Sequence, residues 1–388
     1  MQGIVRDRRV TLPMTRPPTI LRTNGDRGDI HVMRPLPLLA TLLALVIAVE
    51  ELHAETHRYV PSSFANVLEE THSPVLRIQS GDRVITSTVD DVGVDAQGKS
   101  VAQGPNPLTG PFFIEGAEPG DLLVVTIERL EPNRATGMST SVMTANAYDA
   151  GGLANRPDPA RVSWMIDNEK GVVRFNLQAA GRNTDWRSRF ASPTFEMPLR
   201  PTLGSIGVAP PGQDAFPSTM PGPFGGNMVS AGVAAGARVM LPVFQRGALL
   251  FVGHGHARQG DGAVTGSGVE TSLDVEFSVE VVKKKNWPHS SVVRPSTVVG
   301  EFEMAWPRIE TGDSLMAVGS APSLLQALQH ATLELHHWLD DDFGLSEKAV
   351  NIFVGQAMEY EIANVGGGTF TVLAKVRKSY LPRAIATP

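Results

Sequence analysis

Short apolar runs separated by turn residues fill the chain from residue 74 onward. Such runs predict β-strands, and the Gly, Pro and Asp residues between them predict turns. The predicted strands are 75–78, 84–89, 122–127, 203–208, 239–244, 248–252 and 273–282. Many short strands at this spacing predict a jelly-roll-like β-sandwich or barrel over residues 55–285.

The pattern changes after residue 285. Apolar residues recur at helical spacing over residues 323–339, and a second helix is predicted over 346–364. A serine stands at both predicted helix starts, where its side chain is a good N-cap. A last strand is predicted over 370–376. The whole chain is therefore expected to be mainly β or α+β, with residues 286–388 as a smaller α+β region.

The N-terminal segment resembles a targeting sequence. Residues 1–32 are polar and Arg-rich, and Met33 precedes an apolar run over 36–49. A run of that length is typical of a signal peptide and short for a bilayer span. We expect Met33 to be the true start, with 1–32 as a mis-start or a long n-region. Cleavage after Ala54 predicts a periplasmic or secreted protein without a stable membrane span; an uncleaved membrane anchor is the alternative.

The composition of the chain excludes or disfavours several classes of function. The 388-residue chain has a net charge of −6, which disfavours nucleic acid as a partner. It contains no cysteine, so a thiol nucleophile, a Cys-ligated zinc ion and a disulfide are excluded. Aromatic residues make up 6% of the chain, which disfavours a carbohydrate-binding sandwich with an exposed aromatic platform.

The densest group of chemically capable side chains follows the predicted strand 248–252. His254, His256, Gln259 and Asp261 alternate with glycines, and Glu270 comes just before the next strand. We interpret this stretch as a glycine-rich site loop between two strands. Imidazole and carboxylate groups are suitable metal ligands. The alternative is a polar turn with a hydrogen-bonded histidine.

A second polar group lies upstream. Asp90 and Asp91 end a predicted strand; the alternative role of Asp91 is to solvate the strand end. Glu115 follows an apolar strand segment, where partial burial would raise its pKa toward that of a general base. Asp82 and Asp121 lie in Gly-Asp turns and are expected to be structural.

Eight segments, in this order, resemble the acetamidase/formamidase family. They are 74–78 (PVLRI), 80–82 (SGD), 106–111 (NPLTGP), 115–121 (EGAEPGD), 204–210 (GSIGVAP), 222–228 (GPFGGNM), 241–243 (LPV) and 256–262 (HARQGDG). The resemblance covers nearly all of residues 57–380. It implies a β-sandwich with a smaller α+β part, assembled as a homo-oligomer, a dimer or higher. It also implies hydrolysis of a small linear amide such as formamide or acetamide, with release of ammonia.

Three positions depart from the family's pattern. Val229 and Ala263 stand where the family usually has acidic residues, and His254 replaces an Asp. An imidazole can still bind a metal, whereas Val229 and Ala263 can act neither as ligands nor as bases. The site is therefore either adapted to another substrate or reduced to a binding pocket.

The resulting hypothesis is metal-assisted amide hydrolysis. The expected ligands of a zinc or calcium ion are Asp90, His254, His256 and Glu270. The expected catalytic residues are Glu115 as general base, Asp261, and Gln259 as an oxyanion donor. The alternative is a non-catalytic secreted protein that binds a small molecule on the same scaffold.

Overall fold

The computed structural model describes residues 54–177, 194–284 and 306–381. The predicted start at Met33 and the signal-like run 36–49 lie outside the described residues. Within the described ranges, no helix combines the length and apolar character needed to cross a bilayer. Secretion and homo-oligomeric assembly stay predictions.

One large sheet runs through both halves of the described chain. With strands numbered along the sequence, its spatial order is β1 (Thr56–Arg58), β4 (Arg83–Ser87), β18 (Leu273–Val282), β6 (Leu122–Pro132), β15 (Arg238–Pro242), β19 (Arg308–Glu310), β20 (Ser314–Ala321), β22 (Phe370–Arg377) and β21 (Glu359–Asn364). Strands from either side of residue 285 meet where β15 pairs with β19. The predicted α+β region thus shares this sheet with the sandwich.

The second sheet positions the candidate site. Its spatial order is β10 (Thr194–Pro198), β9 (Val172–Asn176), β8 (Arg161–Asp167), β7 (Thr136–Thr140), β17 (Glu270–Thr271), β16 (Leu250–His256), β11 (Thr202–Gly207), β14 (Gly225–Gly226) and β13 (Pro221–Gly222). Strand β5 (Leu108–Ile114) also pairs with β16, and β3 (Leu76–Ile78) pairs with β5. A small separate ladder joins β2 (Val67–Leu68) and β12 (Phe216–Pro217). Strand β16 is therefore internal, with neighbours on both sides.

The two large sheets enclose the main core. Phe112 of β5 and Phe277 of β18 lie on different sheets, and their rings meet edge to face at 5.4 Å. Both are fully buried, together with Phe251 and Leu203 of the second sheet and Ile127 of the first. Burying aromatic and aliphatic side chains between the two sheets stabilises a sandwich. The predicted mainly β sandwich is confirmed, and its sheets remain open.

Helices cover the outer face of the first sheet. After the short α1 (Ala150–Ala154), α2 spans Leu324–Phe343 and α3 spans Glu347–Ala357. The Trp338 and Leu335 side chains of α2 pack with Val372 and Ala374 of β22 in a second apolar cluster. The predicted first helix is confirmed, and its left-handed C-cap is Gly344.

The second predicted helix is too long. Helix α3 ends at Ala357, because Met358 adopts an extended backbone conformation. Residues 359–364 form β21, which pairs antiparallel with β22. A helical pattern therefore predicts the start of this segment correctly, whereas pairing with a neighbouring strand determines its end.

Asp82 anchors the turn between β3 and β4. Its carboxylate accepts hydrogen bonds from the backbone N–H groups of Glu55 and Gln79 at 2.9 and 2.8 Å, and His57 Nε2 lies at 2.9 Å. Burial alone would raise the pKa of Asp82, but these hydrogen bonds outweigh it and lower the pKa. The structural role predicted for this turn residue agrees with these contacts.

Replacing Asp82 with Asn is expected to lower the free energy of unfolding by about 1–3 kcal/mol at pH 7. Since the folded-state pKa is lowered, the stabilisation is present above the ordinary pKa of 3.8 and is lost as pH falls through the folded value. Urea unfolding at pH 7 and at pH 3 measures the difference. Asp158→Asn, at an exposed position, is the control; an equal loss at both pH values would contradict the prediction.

Candidate metal centre and active site

Strand β16 presents two histidines on one face. His254 and His256 are two residues apart in a strand, so their side chains project to the same side. Gly253 and Gly255 face the opposite way, and a Cβ atom there would lie 2.3 Å from Leu108 and 2.2 Å from Leu273. The alternation of His and Gly thus lets the glycine face of β16 pack closely against the core, while the opposite face carries the two candidate metal ligands. The strand extends to His256, so the predicted site loop is, at these residues, part of the sheet.

Glu270 completes a buried cluster with the two histidines. It lies on β17, directly opposite His256 in the antiparallel register. Glu270 Oε1 is 3.0 Å from His256 Nε2, and Oε2 is 3.3 Å from His254 Nδ1. All three side chains are buried, and one ligand atom from each lies within 4.8 Å of the others. The sequence hypothesis placed these three residues in one metal site, and the structure brings them together.

Neighbouring groups hold the cluster in place. Asn227 donates its amide N–H to Thr219 O, so its Oδ1 faces His254 Nε2 at 2.9 Å. His256 Nδ1 lies 3.4 Å from the Thr202 hydroxyl. Such partners orient metal-binding imidazoles and set which ring nitrogen carries the proton. Sequence reasoning missed Asn227, although it stands within the quoted 222–228 motif.

This arrangement fits a cation between His254 and Glu270. When His254 Nε2 donates to Asn227, a neutral imidazole turns the lone pair of Nδ1 toward a carboxylate oxygen. Two acceptors facing each other need a proton or a metal ion between them. Two imidazoles and one carboxylate are also the protein ligands of His₂Glu zinc hydrolases. The cluster could therefore hold a metal ion.

Opposing effects act on the Glu270 carboxylate. Its complete burial would raise the pKa, because a charge is poorly solvated in the interior. With a proton between each imidazole and the carboxylate, the charge of His256 and the hydrogen bonds of both histidines favour the ionised form more strongly, and the pKa of Glu270 is lowered. A carboxylate held ionised in a buried place is a competent metal ligand.

The cluster lines a cavity of about 470 Å³. The other polar residues around this cavity are Asp91, Asn106, Thr219, Asn227, Ser267, Asn364 and Thr369. Residues 366–368, the glycine turn before β22, form part of its wall. The cavity thus combines a buried ligand cluster with polar groups and room for a small molecule, which is the usual composition of an enzyme site.

Asp91 is the carboxylate that lines this cavity together with Glu270. Its two carboxylate oxygens accept hydrogen bonds of 2.7 and 2.9 Å from the guanidinium of Arg161. Burial raises the pKa of Asp91, Arg161 lowers it, and the charges of Glu270 and Asp90 raise it again, so that the pKa is raised overall. Asp91 is therefore a candidate for proton transfer. The sequence offered no signal that distinguishes it from Asp90.

Asp90 lies outside the cluster, contrary to its expected role as a ligand. Its Oδ2 accepts a 2.6 Å bond from Arg134, and its Oδ1 accepts the N–H groups of Val92 and Val94. Asp90 begins a turn in which the Gly93 N–H donates to Asp90 O at 3.1 Å. The Asp90 side chain stabilises this turn, whereas the side chain of Asp91, the next residue of the turn, lines the cavity.

The three predicted catalytic residues do not line the cavity. Glu115 is exposed and pairs with Arg77 at 3.0 Å, in place of the partial burial expected of it. Asp261 is exposed at the start of a single 3₁₀ turn. Gln259 is buried, but its amide N–H donates to Val229 O at 2.7 Å. Gln259 therefore supports the cavity wall, since Val229 is one of the lining residues.

Gly204 is packed directly against the His254 ring. A Cβ atom at this position would lie 2.0 Å from His254 Cε1. Gly204→Ala is expected to displace the imidazole and to weaken metal binding about 10–100-fold, the usual effect of disturbing a ligand's support. Isothermal titration with zinc measures the change. Gly260→Ala, where a Cβ meets nothing within 4 Å, is the control; equal affinities for both variants would contradict the prediction.

Comparison with known proteins gives consistent matches. A model of the acetamidase/formamidase family matches residues 212–367. The acetamidase of Mycolicibacterium smegmatis is 26% identical over 236 residues, with 50% of this chain and 58% of that protein covered. The chain thus spans less than two thirds of that relative.

Two solved structures match most of the chain. A predicted acetamidase/formamidase from Thermoanaerobacter tengcongensis has a TM-score of 0.66 at 25% identity, covering 84% of this chain and 97% of that one. An acetamidase from Yersinia enterocolitica has a TM-score of 0.67 at 25% identity, covering 84% and 93%.

Fold and site together define a β-sandwich protein with a buried His–His–Glu cluster in a small-molecule cavity. The family match includes all three cluster residues, since it extends over residues 212–367. The resemblance to the acetamidase/formamidase family that the sequence motifs indicate is confirmed.

Proposed function

We propose that the protein is an amidase that hydrolyses a small linear amide to a carboxylate and ammonia. The observation that carries this proposal is the buried cluster of His254, His256 and Glu270 beside a cavity of about 470 Å³. The family resemblance supports the same reaction class. The cluster persists despite the departures at Val229 and Ala263, which favours catalysis over a binding role.

His254, His256 and Glu270 would hold the metal, for which we propose zinc. Two of the three ligands are imidazoles, which suit zinc, whereas calcium takes oxygen ligands. When bound, a zinc ion supplies a Lewis acid that polarises an amide carbonyl and makes water more acidic. Asn227 and Thr202 keep the imidazoles oriented for this task.

Asp91 is proposed to transfer the proton. Water adds to the carbonyl carbon as its proton passes to the Asp91 carboxylate, and the proton then moves to the amide nitrogen as the C–N bond breaks. Arg161 fixes the carboxylate in the cavity wall through its paired hydrogen bonds. Cleavage of the C–N bond gives ammonia and a carboxylic acid, which then ionise to ammonium and carboxylate. Transfer by a positioned group of this kind typically contributes about 10²–10⁴-fold.

Ammonia release from formamide, acetamide and longer amides tests the proposal. The protein is assayed as purified, after chelation, and after addition of zinc or calcium. Activity is expected to vanish on chelation and to return with zinc. Full activity after rigorous metal removal would refute the role of the metal. No ammonia from any amide by zinc-loaded protein would refute the amidase and leave the binding role.

A further inference from the structure

The cavity is large for the simplest amides. Its volume is about 470 Å³, and acetamide has four non-hydrogen atoms. At about 30 Å³ for each water-sized group, acetamide would fill roughly a quarter of it. Unfilled apolar space forfeits contacts, so a substrate that used the whole cavity would bind more tightly.

One part of the cavity wall is apolar. The apolar side chains of Met220, Val229 and Ala263 are among the lining residues; Met220 is exposed, and Val229 and Ala263 are buried. Such side chains have no hydrogen bond to offer to a polar ligand. They gain contact when a hydrocarbon group covers them and excludes water.

This apolar wall is held in a strained backbone conformation. Val229 has φ 56° and Ala263 has φ 39°, in the left-handed region that β-branched side chains rarely adopt. The Val229 N–H donates to Gly204 O at 3.0 Å, and its carbonyl accepts from Gln259 Nε2 at 2.7 Å. Strain that the surroundings maintain is frequent at functional sites. The wall is therefore already formed before a ligand arrives.

Both carboxylates that line the cavity have basic partners. Asp91 is paired with Arg161, and Glu270 lies between His254 and His256. A cationic substrate group would find no uncompensated carboxylate among these residues. An anionic group would face Asp91 and Glu270. An uncharged substrate avoids both desolvation penalties.

We propose that the substrate is a neutral primary amide whose acyl group is apolar and larger than the acetyl group, with Val229 as a specificity-determining residue. This inference rests on the proposed amidase function. The amide group would lie at the His–His–Glu cluster, and the acyl chain would cover Met220, Val229 and Ala263.

A panel of neutral amides tests the size preference. From formamide through acetamide and propionamide to butyramide, kcat/KM is expected to rise roughly fourfold with each added methylene. Glycinamide, which is cationic, and succinamate, which is anionic, are expected to react at least tenfold more slowly than butyramide. Highest kcat/KM with formamide or acetamide would overturn the inference while leaving the amidase function intact.

Two variants at one position separate volume from polarity. Val229→Thr keeps the shape of the side chain and is expected to lower the butyramide-to-acetamide ratio of kcat/KM about fourfold. Val229→Phe places a bulky ring where the acyl chain would lie and is expected to lower that ratio more than tenfold while acetamide still reacts. Val264→Thr, at an exposed position outside the cavity lining, is the control.

The possible outcomes distinguish failure of the amidase function from failure of the proposed specificity. No ammonia from any amide by zinc-loaded wild-type protein refutes the amidase itself. Amidase activity with equal turnover of neutral and charged amides overturns the proposed neutrality. A size preference that Val229→Phe leaves unchanged, as Val264→Thr does, overturns the role of Val229. Circular dichroism of both Val229 variants shows whether they are folded.

Discussion

Replacing Glu270 with Gln is expected to remove the metal ion and to lower amidase activity at least about a thousandfold, since a Lewis acid contributes several kcal/mol. The carboxylate contacts His254 and His256 and is fully buried. The amide of Gln has nearly the same shape but no charge, and its NH₂ group faces an imidazole nitrogen. Elemental analysis of the purified variant and ammonia release measure the two effects.

A second buried glutamate provides a matched control for this experiment. Glu334 on α2 is almost completely buried and accepts a 2.6 Å bond from Arg308. Glu334→Gln is expected to lower the melting temperature without changing the metal content of the folded protein. Zinc retained at full stoichiometry in Glu270→Gln would show that Glu270 is not a metal ligand. Wild-type protein that binds no zinc would show that the cluster is a hydrogen-bonded polar group of the core and not a metal site.

Replacing Asp91 with Asn is expected to lower kcat about 10²–10⁴-fold while the metal content stays unchanged. The Asn side chain still accepts a hydrogen bond from Arg161, but it cannot take a proton from water. KM is expected to change little, because the polar wall keeps its shape. Steady-state kinetics with butyramide and metal analysis on the same sample distinguish loss of proton transfer from loss of the metal.

Asp90→Asn is the natural control, since the two residues are neighbours and both are paired with an arginine. The Asp90 carboxylate accepts hydrogen bonds from Arg134 and from the backbone N–H groups of Val92 and Val94, and it does not line the cavity. This variant is expected to be less stable but to keep kcat within about threefold. A larger loss of kcat in Asp90→Asn than in Asp91→Asn would reverse the assignment.

Much of the fold could be predicted because it follows from local patterns. The predicted strands at 122–127, 203–208 and 273–282 correspond to β6, β11 and β18. Short apolar runs bounded by turn residues are enough to predict them, since each strand buries one or both faces. Residues 359–364 show the limit. Their first residues are largely exposed whereas Ala363 and Asn364 are buried, and pairing with β22 makes the segment a strand.

The candidate site was predicted in part. Three of the four expected ligands, His254, His256 and Glu270, form one cluster because antiparallel pairing sets His256 opposite Glu270. The two adjacent aspartates could not be told apart, since both lie in a turn after β4, where no strand alternation sets the direction of a side chain. Glu115, Gln259 and Asp261 have suitable chemistry, but their surroundings direct them elsewhere.

The sequence by itself determined the types of secondary structure, the excluded thiol chemistry and the residues able to bind a metal, because these depend on composition and short-range pattern. The tertiary structure decided which of those residues meet. It extended β16 to His256, oriented His254 through Asn227, and brought Asp91 and Val229 from distant segments to one cavity. Contacts between remote segments depend on strand pairing and sheet packing, and no local pattern in this chain specifies them.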